Sequence, residues 1–568
     1  MARIRHIQIE NFRSIKQLSW FPSYGVNCLI GSGDAGKSSI LDAIDLCLGA
    51  RRTVQFTDAD FHGLDVETPI VIRITIGDLN DALKNIDTYG NFVRSFDASK
   101  LVVEDEPEAG KETVLTVELK VGSDLDPVWT LVSDRATAGG LSRNLTWGDR
   151  SRLSPTRIGA LADANLAWRR GSVLNRLTDE KADTSSALAS AARDARKTFG
   201  NLAEKQLGET LKIVTETAKE LGIPTGDKLM AMLDAHSVSF SGGTVALHDE
   251  NGVPLRSLGV GSTRLLVAGL QRRAAKESSV LLIDELEHGL EPHRILRLLG
   301  SIGAKDMAPS IQSFLTTHSP VALRELSGSQ LWMLRKQSAG HTIECLGASD
   351  PVQGTIRTSP EAFLARSVLV CEGASEVGLM RGLDLWYTSC GVQSLNALGV
   401  VLVDAGGVSK IYGRAQVMLN LGFRVATLRD DDVQPDPGDE SIFDFSGGTI
   451  FKWLPTQALE HAIFLGVSDN AVHQLLARAV ELLGDDTIDQ HIKTISSNTC
   501  NLALCRGPVT PAIRATLANA AKFKKNAWFK NVTAMEDVAR DIIGPDLLAA
   551  DASFRDKFVS IYQWFKNA

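Results

Sequence analysis

Three absences narrow the class of protein before any motif is considered. The seven cysteines are scattered and include no Cys-x-x-Cys pair, which argues against a zinc or disulfide framework. No apolar run approaches the ~18–20 residues of a membrane span. The first ten residues alternate in polarity, as a strand does, and lack the apolar segment of a signal peptide. Together these absences predict a reduced, cytoplasmic protein with no membrane partner.

The chain also lacks an excess of positive charge. Sixty Lys and Arg residues stand against 68 Asp and Glu residues, for a net charge of −8. A general polycation that coats nucleic acid is therefore excluded, and any DNA binding needs local positive charge or metal ions. The length of 568 residues predicts two to four domains at roughly 100–200 residues each.

A phosphate-binding loop is the first motif along the chain. Residues 31–38 read Gly-Ser-Gly-Asp-Ala-Gly-Lys-Ser, between a short apolar segment and a stretch with helical apolar spacing. This is the context a P-loop requires, because its backbone N–H groups and the helix N-terminus bind phosphates. Lys37 is predicted to reach the β- and γ-phosphates and Ser38 to hold Mg²⁺. The predicted nucleotide contacts here are Gly31, Gly33, Gly36, Lys37, Ser38 and Ser39.

The acidic strand that completes such a site comes much later in the chain. Residues 280–283 are all apolar, as in a strand buried on both faces, and Asp284 and Glu285 follow directly. Asp284 is predicted to hold the Mg²⁺ shell, and Glu285 to polarise the attacking water.

Two further motifs carry a family resemblance. Ser257-Leu-Gly-Val-Gly-Ser-Thr263 precedes a helix predicted to start near Arg264, and Thr316-Thr-His-Ser-Pro320 follows an apolar segment. With these motifs the sequence resembles the ABC-type ATPases of the SMC, RecF and Rad50 kind, as does its opening Ile7–Ile15.

The ABC resemblance assigns roles and implies at least a dimer. Gly261 and Ser262 would touch ATP bound to a second subunit, and His318 would sense the γ-phosphate. A plain helix N-cap remains open for the Gly-Ser segment, and a buried core histidine for His318. Only Gln55 is a candidate for the Q-loop of this family.

The region between the two halves of the ATP motif differs in composition. Residues 69–76 and 113–121 have the pattern of antiparallel strands. Residues 160–222 are rich in Ala, Leu, Lys, Glu and Arg and predict two or three amphipathic helices, inserted as a short hairpin. This insertion is expected to mediate dimerisation, with a lid packed on the ATPase as the alternative.

The carboxyl-terminal half repeats an α/β pattern with acidic strand ends. An apolar strand at 366–371 is followed by Glu372 and Glu376, and a third strand at 423–428 is followed by Asp430, Asp431 and Asp432. In an open parallel sheet these ends form the functional crevice. Carboxylates suit Mg²⁺ or Mn²⁺, two of which can activate water against a phosphodiester. The alternative for the aspartate triplet alone is a solvated turn.

These acidic positions resemble a TOPRIM domain, with Glu372, Glu376, Asp430 and Asp432 as metal ligands. A P-loop ATPase followed by TOPRIM resembles the OLD (overcoming lysogenisation defect) nucleases, and the Gabija and retron-associated nucleases are similar. The family pattern adds a late carboxylate, Glu460, and a late lysine near the scissile phosphate. Lys530 is the first choice for that lysine and Lys525 the second, within the basic stretch that also holds Lys522 and Lys524. A solvated helix glutamate and an ordinary surface helix are the respective alternatives.

The OLD resemblance implies an ATP-regulated, metal-dependent DNA endonuclease, by analogy in bacterial antiphage defence. DNA, a dimer or tetramer of the chain, and a helicase or reverse transcriptase are the expected partners. The rival is a non-cleaving SMC/RecF-like clamp with an inert TOPRIM domain.

The expected fold is α/β: an ABC-type ATPase head with a helical insertion, a parallel-sheet TOPRIM domain and a helical end. The predicted boundaries are 1–159 and 226–350 for the two ATPase lobes, 160–225 for the insertion, 360–480 for TOPRIM and 481–568 for the helical region.

Overall fold

A computed structural model describes most of the chain. The described residues are 2–51, 53–159, 165–166, 172–177, 184–220, 231, 247–274, 279–337, 340–523 and 526–567. Within these ranges, every helix is too short or too polar to cross a membrane. All seven cysteines are free thiols, as their scattered positions predict.

Strands are concentrated in the first 130 residues and recur in short groups later. They are β1 (Arg3–Phe12), β2 (Ile15–Trp20), β3 (Val26–Ile30), β4 (Ile70–Gly77), β5 (Val93–Asp97), β6 (Val102–Glu104), β7 (Glu112–Val121), β8 (Pro127–Val132), β9 (Thr156–Ile158), β10 (Val280–Ile283), β11 (Gln312–Thr316), β12 (Leu331–Lys336), β13 (His341–Cys345), β14 (Ser367–Cys371), β15 (Val400–Asp404), β16 (Arg424–Arg429) and β17 (Thr449–Lys452).

Helices connect these strands and make up the carboxyl-terminal region. They are α1 (Lys37–Leu48), α2 (Ile86–Tyr89), α3 (Asp134–Ala138), α4 (Trp147–Leu153), α5 (Leu174–Leu177), α6 (Thr184–Glu220), α7 (Val260–Arg273), α8 (Pro292–Ser301), α9 (Pro320–Glu325), α10 (Asp350–Thr358), α11 (Ala374–Ser389), α12 (Val408–Asn420), α13 (Pro437–Phe445), α14 (Leu459–Gly466), α15 (Asp469–Leu483), α16 (Asp485–Ile495), α17 (Leu502–Cys505), α18 (Pro511–Ala521), α19 (Val532–Val538), α20 (Gly544–Asp546) and α21 (Ala552–Lys566).

The strands form three sheets in the described part of the chain. An antiparallel sheet has the order β2-β1-β4-β7-β5-β6, with β8 paired to β7. A second sheet has the order β13-β12-β3-β11-β10-β9 and is parallel from β12 to β9. The third is fully parallel, in the order β15-β14-β16-β17. The parallel strands of the second and third sheets, connected by helices, confirm the α/β fold class. In the second sheet, β11 lies between the P-loop strand β3 and the acidic strand β10.

The buried residues form three hydrophobic cores, and the two faces of a buried strand contribute to different cores. The antiparallel sheet and α1 pack on one face of the second sheet, through side chains such as Leu29 and Leu282. The opposite face shares a core with the third sheet, where Val368 and Val370 of β14 take part. Leu369 and Cys371, on the other face of β14, pack against the carboxyl-terminal helices. Residues 481–568 therefore complete the core of the third sheet and do not build a separate one.

The contact between the second and third sheets includes a cation–π pair. The Arg335 guanidinium of β12 lies 4.6 Å from the centre of the Phe423 ring, which directly precedes β16. Arg414 of α12 donates from Nη1 to Thr358 Oγ1 of α10 at 3.3 Å. Polar and apolar contacts thus join the two units on the face that they share.

The predicted helical insertion is described only in part. The described portion contains the short α5 and one continuous helix of 37 residues, α6. At 1.5 Å per residue, α6 is about 55 Å long. Because only part of 160–225 is described, the predicted number of helices there stays a prediction. The remaining residues of that range lie outside the described part, so its predicted hairpin form and dimerisation role stay predictions.

We expect Gly382→Ala to destabilise the protein. A methyl group at Gly382 of α11 would lie 2.2 Å from the Glu536 carbonyl oxygen and 2.6 Å from Ala539 Cβ. Separating the helices to relieve that overlap should cost about 1–3 kcal/mol in urea unfolding of the full chain. Gly413→Ala is the matched control, since nothing lies within 4 Å of its added Cβ in the exposed part of α12. It should be neutral or stabilising by up to about 1 kcal/mol. Equal effects of both changes would contradict this packing.

Candidate functional site

The loop between β3 and α1 has the conformation that the glycine motif predicts. Gly31 has φ +140°, and a Cβ there would lie 2.4 Å from the Leu334 carbonyl oxygen, so a side chain cannot be accommodated. The Lys37 side chain lies in the loop, where Nζ donates to the carbonyls of Gly31 at 3.0 Å and Ser32 at 2.7 Å. Burial lowers the pKa of Lys37. The Lys37 ammonium group thus lies against the loop backbone that would surround a bound phosphate.

The two residues predicted to share Mg²⁺ meet, although 246 positions separate them. Ser38 Oγ donates to Asp284 Oδ1 at 3.0 Å, and Thr316 Oγ1 donates to the same oxygen at 2.7 Å. The loop glycine Gly33 is exposed. Ser39 faces the amino-terminal motif, where its Oγ lies 3.2 Å from Ser14 Oγ.

The Gly-Ser segment starts a helix earlier than its sequence suggests. Helix α7 begins at Val260, not near Arg264, so Gly261 and Ser262 lie in its first turn. Gly261 packs against the carbonyl of Gly289, 2.6 Å from where its Cβ would be, and Ser262 Oγ accepts from Arg294 at 3.2 Å. The helix N-cap is Gly259, without a side-chain capping bond.

Sequence reasoning missed the buried arginine that fixes the acidic loop. Arg264 donates to the carbonyls of Asp284 at 2.8 Å, Glu285 at 3.0 Å and His288 at 2.7 Å. Three bonds to one loop hold the segment after β10 against α7. The only available signal was the position of Arg264 directly after the Gly-Ser-Thr motif.

Glu287 is a second residue that sequence reasoning missed. Its carboxylate accepts from Thr317 Oγ1 at 2.6 Å and from the His318 backbone N–H at 2.8 Å. The His318 side chain is exposed, which excludes the alternative of a core histidine. Gln55 is also exposed, and no described hydrogen bond connects it to the P-loop.

A second acidic site lies at the carboxyl ends of β14 and β16. These strands are neighbours, while β15 lies on the other side of β14, so the chain changes direction between them and leaves a crevice there. Glu372 follows β14 and Asp430 follows β16. The Asp430 backbone N–H donates to Glu372 Oε2 at 2.9 Å, and the Leu459 N–H, at the start of α14, donates to Asp430 Oδ1 at 2.9 Å.

Two more predicted carboxylates are buried beside this pair. Glu376, in the first turn of α11, is 3% exposed and accepts from the Gly373 N–H at 2.9 Å. Glu460, in the first turn of α14, is 2% exposed, so it is not a solvated helix residue. Its Oε2 is buried and has no hydrogen-bond partner within the described part of the chain.

The cluster carries more negative charge than its surroundings neutralise. Burial, followed by the charges of Glu372 and Glu460, raises the pKa of Asp430 to about 7. Burial and Asp430 raise the pKa of Glu376 well above its usual value, and burial also raises that of Glu372. A bound cation would reverse these shifts, because it favours the ionised carboxylates.

Two lysines supply positive charge at this edge. Lys530 Nζ lies 2.9 Å from Glu460 Oε1, and Lys522 is paired with Asp432. Burial alone would lower the pKa of Lys530, but Glu460, Glu376 and Asp430 outweigh it and raise that pKa. Lys524 and Lys525 lie outside the described residues.

The donor chemistry fits a hard divalent cation, although its ligands are not assembled around one point. Within the described ranges, no three Asp, Glu, His or Cys side chains form a ready-made metal centre. The carboxylates are engaged by backbone amides and lysines instead. They are nevertheless oxygen donors of the kind that Mg²⁺ and Mn²⁺ bind, and Glu460 Oε2 accepts no hydrogen bond from the described residues.

The middle aspartate of the triplet has a different environment. Asp431 Oδ1 accepts from the fully buried Arg429 at 3.1 Å, and Arg429 Nη2 lies 2.9 Å from Glu440 Oε2. Burial of Asp430 and Asp431 overturns the alternative of a solvated turn. Asp430 and Asp432 thus belong to the acidic cluster, whereas Asp431 binds Arg429. Three identical residues in a row give no sequence signal for this difference.

Comparison with known families decides the classification. Residues 26–324, more than half of the chain, match the family model described as "AAA domain, putative AbiEii toxin, Type IV TA system". The chain belongs to this AAA-domain family. Residues 363–432 of the AAA-domain protein match a second model, "Overcoming lysogenization defect protein-like, TOPRIM domain". The predicted combination of an ATPase with an OLD-like TOPRIM domain is therefore confirmed.

Similar individual proteins cover smaller or more distant parts of this AAA-domain protein. The DNA replication and repair protein RecF of Nitrosococcus oceani is 45% identical over 67 residues, 11% of this chain and 18% of RecF. RecF of Chlorobium phaeovibrioides is 38% identical over 58 residues, 10% and 16% of the respective chains. The chain thus matches less than a fifth of the length of these relatives.

Among solved structures, SMC head domains are similar at low identity. The Pyrococcus furiosus head with an extended coiled coil, bound to the carboxyl-terminal domain of ScpA, is 14% identical with a TM-score of 0.33, covering 61% of this chain and 96% of that one. The Thermotoga maritima head is 13% identical with a TM-score of 0.28, covering 60% and 98%.

Proposed function

We propose that this protein is an ATP-regulated, divalent-metal-dependent DNA endonuclease of the OLD type, acting in the cytoplasm in bacterial antiphage defence. One observation supports this most: the buried carboxylates of Glu376, Asp430 and Glu460 lie with the half-buried Glu372 at the switch point of the TOPRIM sheet. An inert DNA-binding fold has no need for such a cluster, because several carboxylates that are partly or fully buried close together repel one another and destabilise a protein.

The nuclease residues divide between metal binding and substrate binding. Glu372, Glu376, Asp430, Asp432 and Glu460 would hold two Mg²⁺ or Mn²⁺ ions. When bound, such ions supply an activated water and stabilise charge on the phosphodiester. The backbone N–H groups of Asp430 and Leu459 keep Glu372 and Asp430 oriented. Lys530 lies beside Glu460, from where its ammonium can bind a DNA phosphate.

The ATPase residues form the regulatory half of the proposal. Lys37 would bind the ATP phosphates, while Ser38 and Asp284 hold Mg²⁺ and Glu285 orients water. Gly261 and Ser262 would contact ATP on a second copy of the chain, so ATP would bring two copies together. The core shared by the ATPase and TOPRIM sheets provides a physical connection between nucleotide state and the nuclease edge.

Metal removal tests the nuclease proposal. Purified protein should cut plasmid DNA with Mg²⁺ or Mn²⁺, and EDTA should abolish the cutting because the carboxylate cluster has no other cation able to activate water. Gel electrophoresis with and without ATP gives the rate and the sign of nucleotide control. Absence of cutting at any metal and ATP concentration, with DNA still bound, would favour a non-cleaving clamp.

A further inference from the structure

Both ends of one basic segment contact predicted metal ligands. We call residues 522–530 the lysine segment; its residues 524 and 525 lie outside the described part. Lys522 at one end is paired with Asp432, and Lys530 at the other end is paired with Glu460 at 2.9 Å. Two cations from one segment therefore engage two carboxylates of the cluster.

Aromatic side chains anchor the described parts at the two ends of the lysine segment. The Phe523 ring stacks on His491, with 4.5 Å between ring centres, and Trp528 Nε1 donates to His491 Nδ1 at 3.2 Å. Trp528 and Phe529 are buried. The Lys522 and Lys530 side chains are 36% and 45% exposed. Their ammonium groups can therefore move without displacing the segment.

In this structure the two lysines contact carboxylates that are predicted to bind metal. No described three-ligand centre is present, and Asp432 and Glu460 each direct an oxygen at an ammonium group. The second oxygen of Glu460 is buried and has no hydrogen-bond partner among the residues that the structure describes. A single positive charge on each lysine neutralises the cluster less well than a divalent ion would.

We propose that Lys522 and Lys530 form a latch, whose ammonium groups must leave Asp432 and Glu460 before those carboxylates bind metal. The proposal rests on the nuclease function proposed above and adds a competition between lysine and metal. Each released ammonium group is then free to bind a phosphate of DNA. The latch thereby links the filling of the metal site to the exposure of two DNA-binding cations.

The affinity of the full chain for Mn²⁺, measured by titration calorimetry without nucleotide or DNA, tests the latch. Lys522→Ala should bind Mn²⁺ roughly three- to tenfold more tightly than the wild type, because Asp432 loses its competing partner. Lys522→Arg keeps the charge and should bind like the wild type. Asp430→Asn should lose the signal, which assigns the heat to the cluster.

The control is a lysine paired outside the cluster. Lys493 Nζ lies 2.6 Å from Asp489 within α16, and Lys493→Ala should leave the Mn²⁺ affinity unchanged. Unchanged or weaker Mn²⁺ binding by Lys522→Ala, in a protein whose wild type does bind, would overturn the latch alone. Absence of Mn²⁺ binding in every variant would overturn the proposed metal site as well.

Discussion

Glu372→Gln is expected to lower DNA cutting by at least about 100-fold while leaving the fold intact. Glutamine has nearly the same shape and keeps an oxygen that can accept the 2.9 Å bond from the Asp430 N–H. The change removes one negative charge at the end of β14, where burial already raises the pKa of the carboxyl group. Plasmid cleavage under saturating Mg²⁺ and Mn²⁺ measures the effect.

A matched control lies one strand away on the same sheet edge. Asp404 is the last residue of the outer strand β15, is exposed, and accepts from the Gly406 N–H at 2.8 Å. Asp404→Asn should cut DNA like the wild type, because no described contact connects Asp404 to the cluster. Equal loss in both variants would show a general effect of charge at this edge, and full activity of Glu372→Gln would remove Glu372 from the reaction.

The same variant tests the defence role in cells. Bacteria carrying the wild-type protein should reduce phage plaque counts, and Glu372→Gln should not, since the proposed defence depends on cutting. Equal plating on both strains would overturn the antiphage role without touching the biochemical activity.

The sequence predicted both sites where a residue type and a backbone position define the chemistry. Gly31 and Lys37 lie in a local loop whose phosphate binding depends on consecutive residues. Glu372 and Asp430 follow two apolar strands, and the rule that parallel strand ends share an edge was enough to bring them together. Strands β10, β14 and β16 all lie within one residue of the segments predicted at 280–283, 366–371 and 423–428.

The missed features depend on contacts between distant segments. Arg264 and Glu287 act through backbone groups of other loops, and a hydrogen bond to a backbone atom leaves no residue pattern in the partner. The start of α7 was placed four residues late, because glycine and serine favour caps and turns, whereas here packing against Gly289 keeps Gly261 inside the helix. At the start of α7, tertiary packing therefore outweighed the local preference of glycine and serine for caps and turns.

Glu285→Gln is expected to slow ATP turnover on the order of 10²–10³-fold while ATP binding is retained. Glu285 has a left-handed backbone, with φ +47°, and its side chain is 64% exposed. It therefore extends from the loop after β10 instead of packing inside it. Its backbone N–H donates to Thr316 Oγ1 at 2.8 Å, beside Asp284. Steady-state phosphate release and nucleotide titration separate the two effects.

Glu287→Gln is the informative comparison, because the two glutamates are two residues apart in the same loop. Glu287 already accepts from Thr317 and His318, and glutamine can still accept one of those bonds. Glu287→Gln should therefore slow ATP turnover less than Glu285→Gln. The smaller loss would come from a weaker hold on the His318 backbone. Lys37→Ala should instead lose ATP binding itself, since its ammonium group is directed into the P-loop. A larger loss in Glu287→Gln than in Glu285→Gln would move the water-orienting role to Glu287.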